Sequence, residues 1–227
     1  MAIITEEDRT TLVRQFEKLF SGIKRQGADK LLEFIRKSDF YTAPASTKYH
    51  CNYKGGLLEH SMNVYRRLAD KATDESSIFY SDLNSDQING ESLLIIGLLH
   101  DICKTYYYIT EFKNQKTYDK EKVKNAEGWQ VKHDSNGDFI WETVPAFTVD
   151  DKIPYGHGEK SVMMIEEYMK LRPVERYAIR WHMGFTEPKE SWGRWGRQSP
   201  NIRLSWRQWR RTWRQHTFWK MRRNRNG

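Results

Sequence analysis

Residues 91–104 read ESLLIIGLLHDICK, and this stretch decides the fold. From Leu93 to Leu99 it is apolar nearly all round, with only Gly97 lacking a side chain. A helix that is apolar on every side has no face to offer water, so it belongs at the centre of a domain with other helices around it. The stretch then runs into His100-Asp101 and carries a carboxylate into or beside the core. A buried carboxylate without a partner is very costly, so Asp101 must meet a cation, a cluster of hydrogen-bond donors or a metal ion. Neighbouring side chains on a helix diverge by about 100°, so His100 and Asp101 reach one ion only if it lies against that helix. Lys104, one turn on, is placed either to pair with Asp101 or to meet an anionic substrate near an ion. This helix alone leaves both open.

Outward from that centre, Thr5 with Asp8 resembles a capping arrangement, and Leu12, Phe16, Leu19 and Phe20 follow at helical spacing. A second helix is expected over ADKLLEFIRKSDF (28–40). Pro44 lies in a loop, TAPASTKYHCNYKGG (42–56), whose paired glycines introduce a third helix, LLEHSMNVYRRLADKA (57–72). Two more helices are expected at GEKSVMMIEEYMKL (158–171) and PVERYAIRWHMGF (173–185), with Pro173 breaking between them. The middle of the chain differs. TYYYITEF (105–112) is β-branched and aromatic, and WQVKHDSNGDFIWETV (129–144) reads as two short strands around an Asn136-Gly137 turn. The expectation is a mainly α fold, a helical bundle with a small β-hairpin insertion at about 105–150. There is no internal repeat.

The chain's 227 residues suffice for one domain with a sizeable core. Its formal charge of +8 suggests anionic partners, but the basicity is local: residues 186–227 hold 12 Lys and Arg against 2 Asp and Glu. The first 185 residues carry 26 basic and 28 acidic side chains. Any charge argument for nucleic acid therefore concerns the last 42 residues alone. Cys51 and Cys103 make neither a disulfide framework nor a paired-cysteine metal knuckle. The opening MAIITEEDRT is acidic and lacks the apolar core of a signal peptide. No apolar run approaches the ~20 residues needed to cross a bilayer. A reduced, cytoplasmic protein without a membrane partner is expected.

Four histidines occupy structured positions. His60 shares a helix face with Leu57, Val64 and Leu68, where a lone histidine is more often a hydrogen-bonded core residue than a ligand. His182, after YAIRW on the last helix, invites the same reading. His157 sits between two glycines at a helix N-terminus, where the backbone comes close and anions are favoured. The set is stronger than its members, because GGLLEH, LLHDICK, GHG and WH follow one another in order. YKGGLLEHSMNVYRRL (53–68), LLIIGLLHDICKTYYY (93–108), PYGHGEKS (154–161) and AIRWHMGF (178–185) together resemble the HD superfamily of metal-dependent phosphohydrolases. The nearest branch is that of bacterial and phage HD proteins akin to 3′-to-5′ exoribonucleases, and the resemblance runs from about Tyr49 to Phe185.

The resemblance implies an all-α HD bundle holding two divalent metal ions. His60, His100 and Asp101 would bind the first ion, Asp101 would bridge to a second, His157 and His182 would complete the second site, and Lys104 would face the phosphate. The residue types agree: imidazole and carboxylate donors suit Mn, Fe, Co, Ni or Zn. A two-metal site activates water and clamps both the attacking and the leaving oxygen at phosphorus. The chain departs from the pattern in four ways. Cys103 stands where the family has glycine, Tyr49-His50 where relatives often show paired histidines, and no nucleic-acid module precedes the HD body. An aspartate in an Ala-Asp-Met-like helix, which closes the family's first metal site, has no counterpart, since no acid follows Glu190.

That missing aspartate coincides with an unusual ending, SWRQWRRTWRQHTFWKMRRNRNG (205–227). Tryptophan has the single codon TGG, so Trp-Arg read one base earlier becomes Ala or Glu. Shifted by one base from about Arg194, permitted codons give an Ala- and Glu-rich amphipathic helix. It contains Ala-Asp-Met, the aspartate falling across the codons of Arg211 and Thr212. Residues 191–227 are thus expected to be out of frame or disordered, beside an HD-type domain at 1–190. A nucleic-acid arm, with Arg on phosphate and Trp on bases, is the competing reading.

The expected function is metal-dependent hydrolysis of a phosphomonoester or phosphodiester, on a phosphate-containing small molecule such as a nucleotide, or on an oligonucleotide. Asp101 and Lys104 are the expected catalytic residues. The alternatives are a non-catalytic HD domain that binds a nucleotide or metal in a regulatory role, and nucleic-acid binding through the tail.

Overall fold

A computed structural model describes residues 4–48, 51–73, 89–153 and 155–182. The expected tail, the Tyr49-His50 pair and the end of the last helix beyond His182 lie outside the described residues. About half of the fold is helical, in keeping with a mainly α architecture. The helices are α1 (Glu6–Phe20), α2 (Ala28–Lys37), α3 (Gly56–Thr73) and α4 (Gly90–Leu99). A 3-10 turn, Ile102–Lys104, follows α4. After the strands come α6 (His157–Glu166) and α7 (Pro173–Arg180), with a short α5 (Lys120–Asn125) inside the insertion.

Three helix starts have a clear local cause. Thr5 and Asp8 form a full capping box at α1, as the sequence suggests. Asn89 accepts the Ser92 amide at 2.8 Å to cap α4. At α7, Pro173 occupies the first turn, where its missing N–H costs nothing, and the Glu175 carboxylate takes the Arg172 amide at 2.7 Å.

Helix α4 is the centre, packed on by α1, α3 and α7, and seven of its ten residues are buried. Phe16, Leu31, Ile35, Phe40, Leu57, Leu58, Ile96, Leu99 and Ile179 are wholly buried in the core around it. The α3–α4 contact is close because residue 97 is glycine: a Cβ there would lie 2.7 Å from the Tyr65 Cα. The N-terminus of α6 meets the end of α7 in the same way. A Cβ on Gly158 would fall 2.1 Å from the Arg180 carbonyl oxygen. An ion-pair network ties the outer helices to α4. Arg25 reaches the fully buried Glu175 of α7 and Glu91 of α4, and Ser92 donates to Glu175 at 2.7 Å.

The insertion is larger than the expected hairpin. It forms a three-stranded antiparallel sheet in the order β1-β3-β2, from β1 (Tyr108–Thr117), β2 (Lys132–Asp134) and β3 (Gly137–Val149). Strand β3 runs on through Val144–Val149 and pairs with all of β1, from Tyr108 opposite Val149 to Thr117 opposite Ile140. The turn between β2 and β3 is Ser135-Asn136, and Gly137, at φ 114°, opens β3. The extra extent escapes notice in sequence because Lys113–Lys116 are polar and exposed on both faces, so no apolar alternation marks them.

Two helix ends also differ from expectation. The helix expected to run unbroken through 91–104 stops at Leu99, and the last helix stops at Arg180, leaving His182 just beyond it. Among the described residues no helix is long and apolar enough to cross a membrane.

Candidate metal centre

Asp101 sits at the break after α4 with φ −110° and ψ 19°, a sparsely populated backbone region that recurs in active sites. The residue is 2% exposed. Oδ2 lies 3.3 Å from His60 Nε2, 3.3 Å from His100 Nε2 and 2.8 Å from Lys104 Nζ. Oδ1 faces the other way, 3.2 Å from His182 Nε2. His60 comes from the second turn of α3, His100 from the end of α4, and His182 from just past α7. The rings of His60 and His182 each stand 5.1 Å from that of His100.

The imidazoles are oriented from behind. His100 Nδ1 donates to the Gly97 carbonyl at 3.1 Å, and His182 Nδ1 donates to the Ile179 carbonyl at 2.7 Å. With the proton on Nδ1, each Nε2 presents a lone pair toward the carboxylate, the arrangement typical of metal-binding histidines. Burial lowers the His60 imidazole from 6.5 to about 3, against the pull of Asp101, and it lowers His100 as well. Burial alone would raise the Asp101 carboxyl, but the Lys104 ammonium and the surrounding histidines outweigh it and hold it well below the ordinary range. Near neutral pH the Asp101 carboxylate is therefore ionised beside neutral His60 and His100 imidazoles.

These residues fit a metal ion. Donors sharing one ion at about 2.0–2.2 Å lie roughly 3.0–3.4 Å from each other. His60 Nε2, His100 Nε2 and Asp101 Oδ2 are mutually 3.2–3.3 Å apart. His60, His100 and Asp101 are the group of three donors among the described residues that could hold an ion. Asp101 Oδ1, fully buried, accepts no hydrogen bond among the described residues, as expected of an atom whose partner is a cation.

The remaining sequence-derived candidates lie close by. Lys104, 7% exposed, spends donors on Asp101 and on the Ala45 carbonyl at 2.7 Å, so the buried Asp101–Lys104 pair and the histidine cluster coexist. His157 opens α6 and stands outside the group of three; its Nδ1 lies 3.2 Å from Cys103 Sγ and its ring 5.2 Å from that of Tyr107. Burial lowers His157 too.

Sequence reasoning missed this surround. Ala45 contributes only its backbone, which no side-chain pattern reveals. Lys160, 4% exposed, pairs with Asp151 and lies over the Tyr107 ring at 5.1 Å. The one available signal was DDKIPYGHGEKS (150–161), which places opposite charges on either side of His157.

The chain is 38% identical over 77 residues to the dihydroneopterin 2′,3′-cyclic phosphate phosphodiesterase of Methanocaldococcus jannaschii. The match takes in 34% of this chain and 28% of that protein. No protein-family model matches the chain, and no solved structure matches it.

Proposed function

We propose that this protein is a metal-dependent phosphohydrolase of the HD type, cleaving a phosphodiester or phosphomonoester of a nucleotide or oligonucleotide. The observation that carries the reading is the convergence of His60, His100 and Asp101 on one point, with His100 and Asp101 buried. The similarity to a cyclic-phosphate phosphodiesterase supports it and puts 2′,3′-cyclic nucleotides first on the substrate panel.

His60, His100 and Asp101 would hold a first divalent ion through Nε2, Nε2 and Oδ2. His182, on the Oδ1 side of Asp101, and His157 would serve a second, which makes Asp101 the bridge. A transition-metal ion held there would supply Lewis acidity, drawing the pKa of water down toward neutrality. Asp101, ionised, would orient the attacking water. Lys104 holds Asp101 and the Ala45 carbonyl with two of its three N–H donors, leaving one for a phosphate oxygen.

The test is hydrolysis of 2′,3′-cyclic AMP and of bis(p-nitrophenyl) phosphate with Mn²⁺. Activity abolished by EDTA, by His100→Ala and by Asp101→Ala is expected; full activity in either variant refutes the assignment. One observation favours a second reading. Residues 191–227, where the HD resemblance places the aspartate that closes the first site, hold no acid. A non-catalytic HD domain would then bind nucleotide and metal without turnover, which the same assay combined with calorimetry separates from the enzyme. Sequencing the gene across codons 185–227 decides whether residues 191–227 are read in frame.

A further inference from the structure

Strand β1 is the outer strand of the sheet, and all eight residues from Ile109 to Lys116 are exposed. Among the described residues nothing pairs with its free edge. A long exposed edge is an open template for another strand, and proteins usually blunt one with proline, a bulge or like charges. Strand β1 has no proline, and it carries opposite charges, Glu111 and Lys113, on either side of Phe112. Phe112 is 76% exposed.

We propose that β1 is a dimerisation edge for a second copy of this chain, paired antiparallel about a two-fold axis at Phe112. In that register Phe112 stands opposite Phe112 of the partner. Glu111 stands opposite the partner's Lys113, and Lys113 opposite the partner's Glu111. Thr110 and Asn114 face each other in the same way. A two-fold interface must be self-complementary, and a carboxylate and an ammonium two residues apart around an aromatic centre meet that condition. Directly opposed side chains on paired strands share a face, so both ion pairs form on one face and the aromatic pair on the other. The two sheets join into one of six strands.

The geometry leaves room for the helical bodies. Each body joins β1 at Tyr108, which this register sets opposite the partner's Lys116. The two attachment points are eight residues apart along the strand, about 27 Å at ~3.4 Å per residue. Charge argues against nucleic acid as the occupant, since residues 105–153 carry 7 Lys and no Arg against 9 Asp and Glu.

The experiment is sedimentation of the full-length chain over a concentration series, with Lys113→Glu, Glu111→Lys and the double charge swap. Wild type and the double swap are expected to dimerise reversibly. Each single variant turns both ion pairs into like-charge contacts and weakens dimerisation about tenfold or more. An equimolar mixture of the two single variants restores it, because every pair is then again opposite in sign. A wild type that stays monomeric overturns the proposal, and so does a dimer that ignores both single variants. Concentration-independent protection of the β1 amides from hydrogen exchange also overturns it, by assigning the edge to another segment of the same chain. Unchanged near-ultraviolet circular dichroism in each variant excludes misfolding as the cause of a lost dimer.

Discussion

Gly97→Ala is the most informative single substitution in this protein, because it tests whether the packing of α3 on α4 sets the spacing of the metal donors. The added Cβ would lie 2.7 Å from the Tyr65 Cα, 2.8 Å from its Cβ and 3.2 Å from its amide nitrogen. Carbon atoms in contact prefer about 3.5–4.0 Å, so the helices must part by roughly 1 Å at this crossing. None of these contacts is a side-chain tip that can swing aside. Overpacking of this kind costs about 1–3 kcal/mol, and the helix propensity of alanine returns up to ~1 kcal/mol. A net loss of roughly 1–2 kcal/mol lowers Tm by about 2–8 °C for a domain of this size. The effect on the site is larger in proportion. His60 belongs to α3 and His100 to α4, three residues beyond Gly97, and their Nε2 atoms are 3.2 Å apart. Metal–ligand distances tolerate about ±0.2 Å, so a ~1 Å displacement weakens binding by at least about tenfold. Equilibrium dialysis with Mn²⁺ or Zn²⁺ gives the affinity, and calorimetric unfolding gives Tm. Gly90→Ala is the control on the same helix, since a Cβ there meets nothing within 4 Å. It should leave metal affinity unchanged. Wild-type affinity in Gly97→Ala would refute the idea that this crossing sets the ligand spacing.

Three further outcomes follow from the described contacts. Glu175→Ala strands Arg25 and Ser92 beside a buried void and should destabilise the fold by about 3 kcal/mol in urea unfolding, with metal affinity intact; a loss within experimental error would make the network ornamental. In metal-free protein, the folded His60 stays neutral down to about pH 3, whereas the unfolded residue takes up a proton below its ordinary 6.5. Its contribution is thus complete above pH 6.5 and is lost as pH falls toward 3, about 2 kcal/mol by pH 5. His60→Asn should flatten that part of the stability–pH curve, and an unaltered slope would contradict the assignment. Burial pushes the Cys103 thiol up to about 12, so at pH 8 it should resist alkylation in the native protein and react once urea unfolds the chain, with mass spectrometry reading the labelled site.

What could be read in the sequence was whatever burial wrote into residue type. Helix α4 was legible because it is apolar on every side, and it is buried as that pattern requires. The position of His60 was legible from its neighbours Leu57 and Leu68, both in the core. The capping box at Thr5 and the break at Pro173 are local signals that need no tertiary context. The full sheet was not legible, because β1 is exposed on both faces and its length is set by its pairing with β3 rather than by its own pattern. Backbone contributions to the site, the Ala45 and Gly97 carbonyls, carry no residue signature at all. The end of α4 was hidden for a related reason: Ile102 and Cys103 prolong the apolar run past the point where the helix stops.

That hidden break resolves the difficulty that an unbroken helix poses. On such a helix His100 and Asp101 would diverge by about 100° and could meet only at an ion lying against the helix. Here His100 keeps helical dihedrals while Asp101 departs to φ −110° and ψ 19°, and the two side chains close to 3.3 Å. The 3-10 turn that follows returns the Lys104 amide to the Asp101 carbonyl at 3.0 Å and brings its ammonium onto the carboxylate. Trp181 ends α7 with nearly the same backbone, φ −110° and ψ 14°, immediately before His182. His157 is the first residue of α6, held near the end of α7 by the Gly158–Arg180 approach. Three of the four histidines thus lie at or just beyond helix ends, and His60 alone projects from within a helix, from the second turn of α3. The geometry of the candidate site consequently depends on where helices stop and how closely they cross, which ties it to the glycines at the crossings as firmly as to its own side chains.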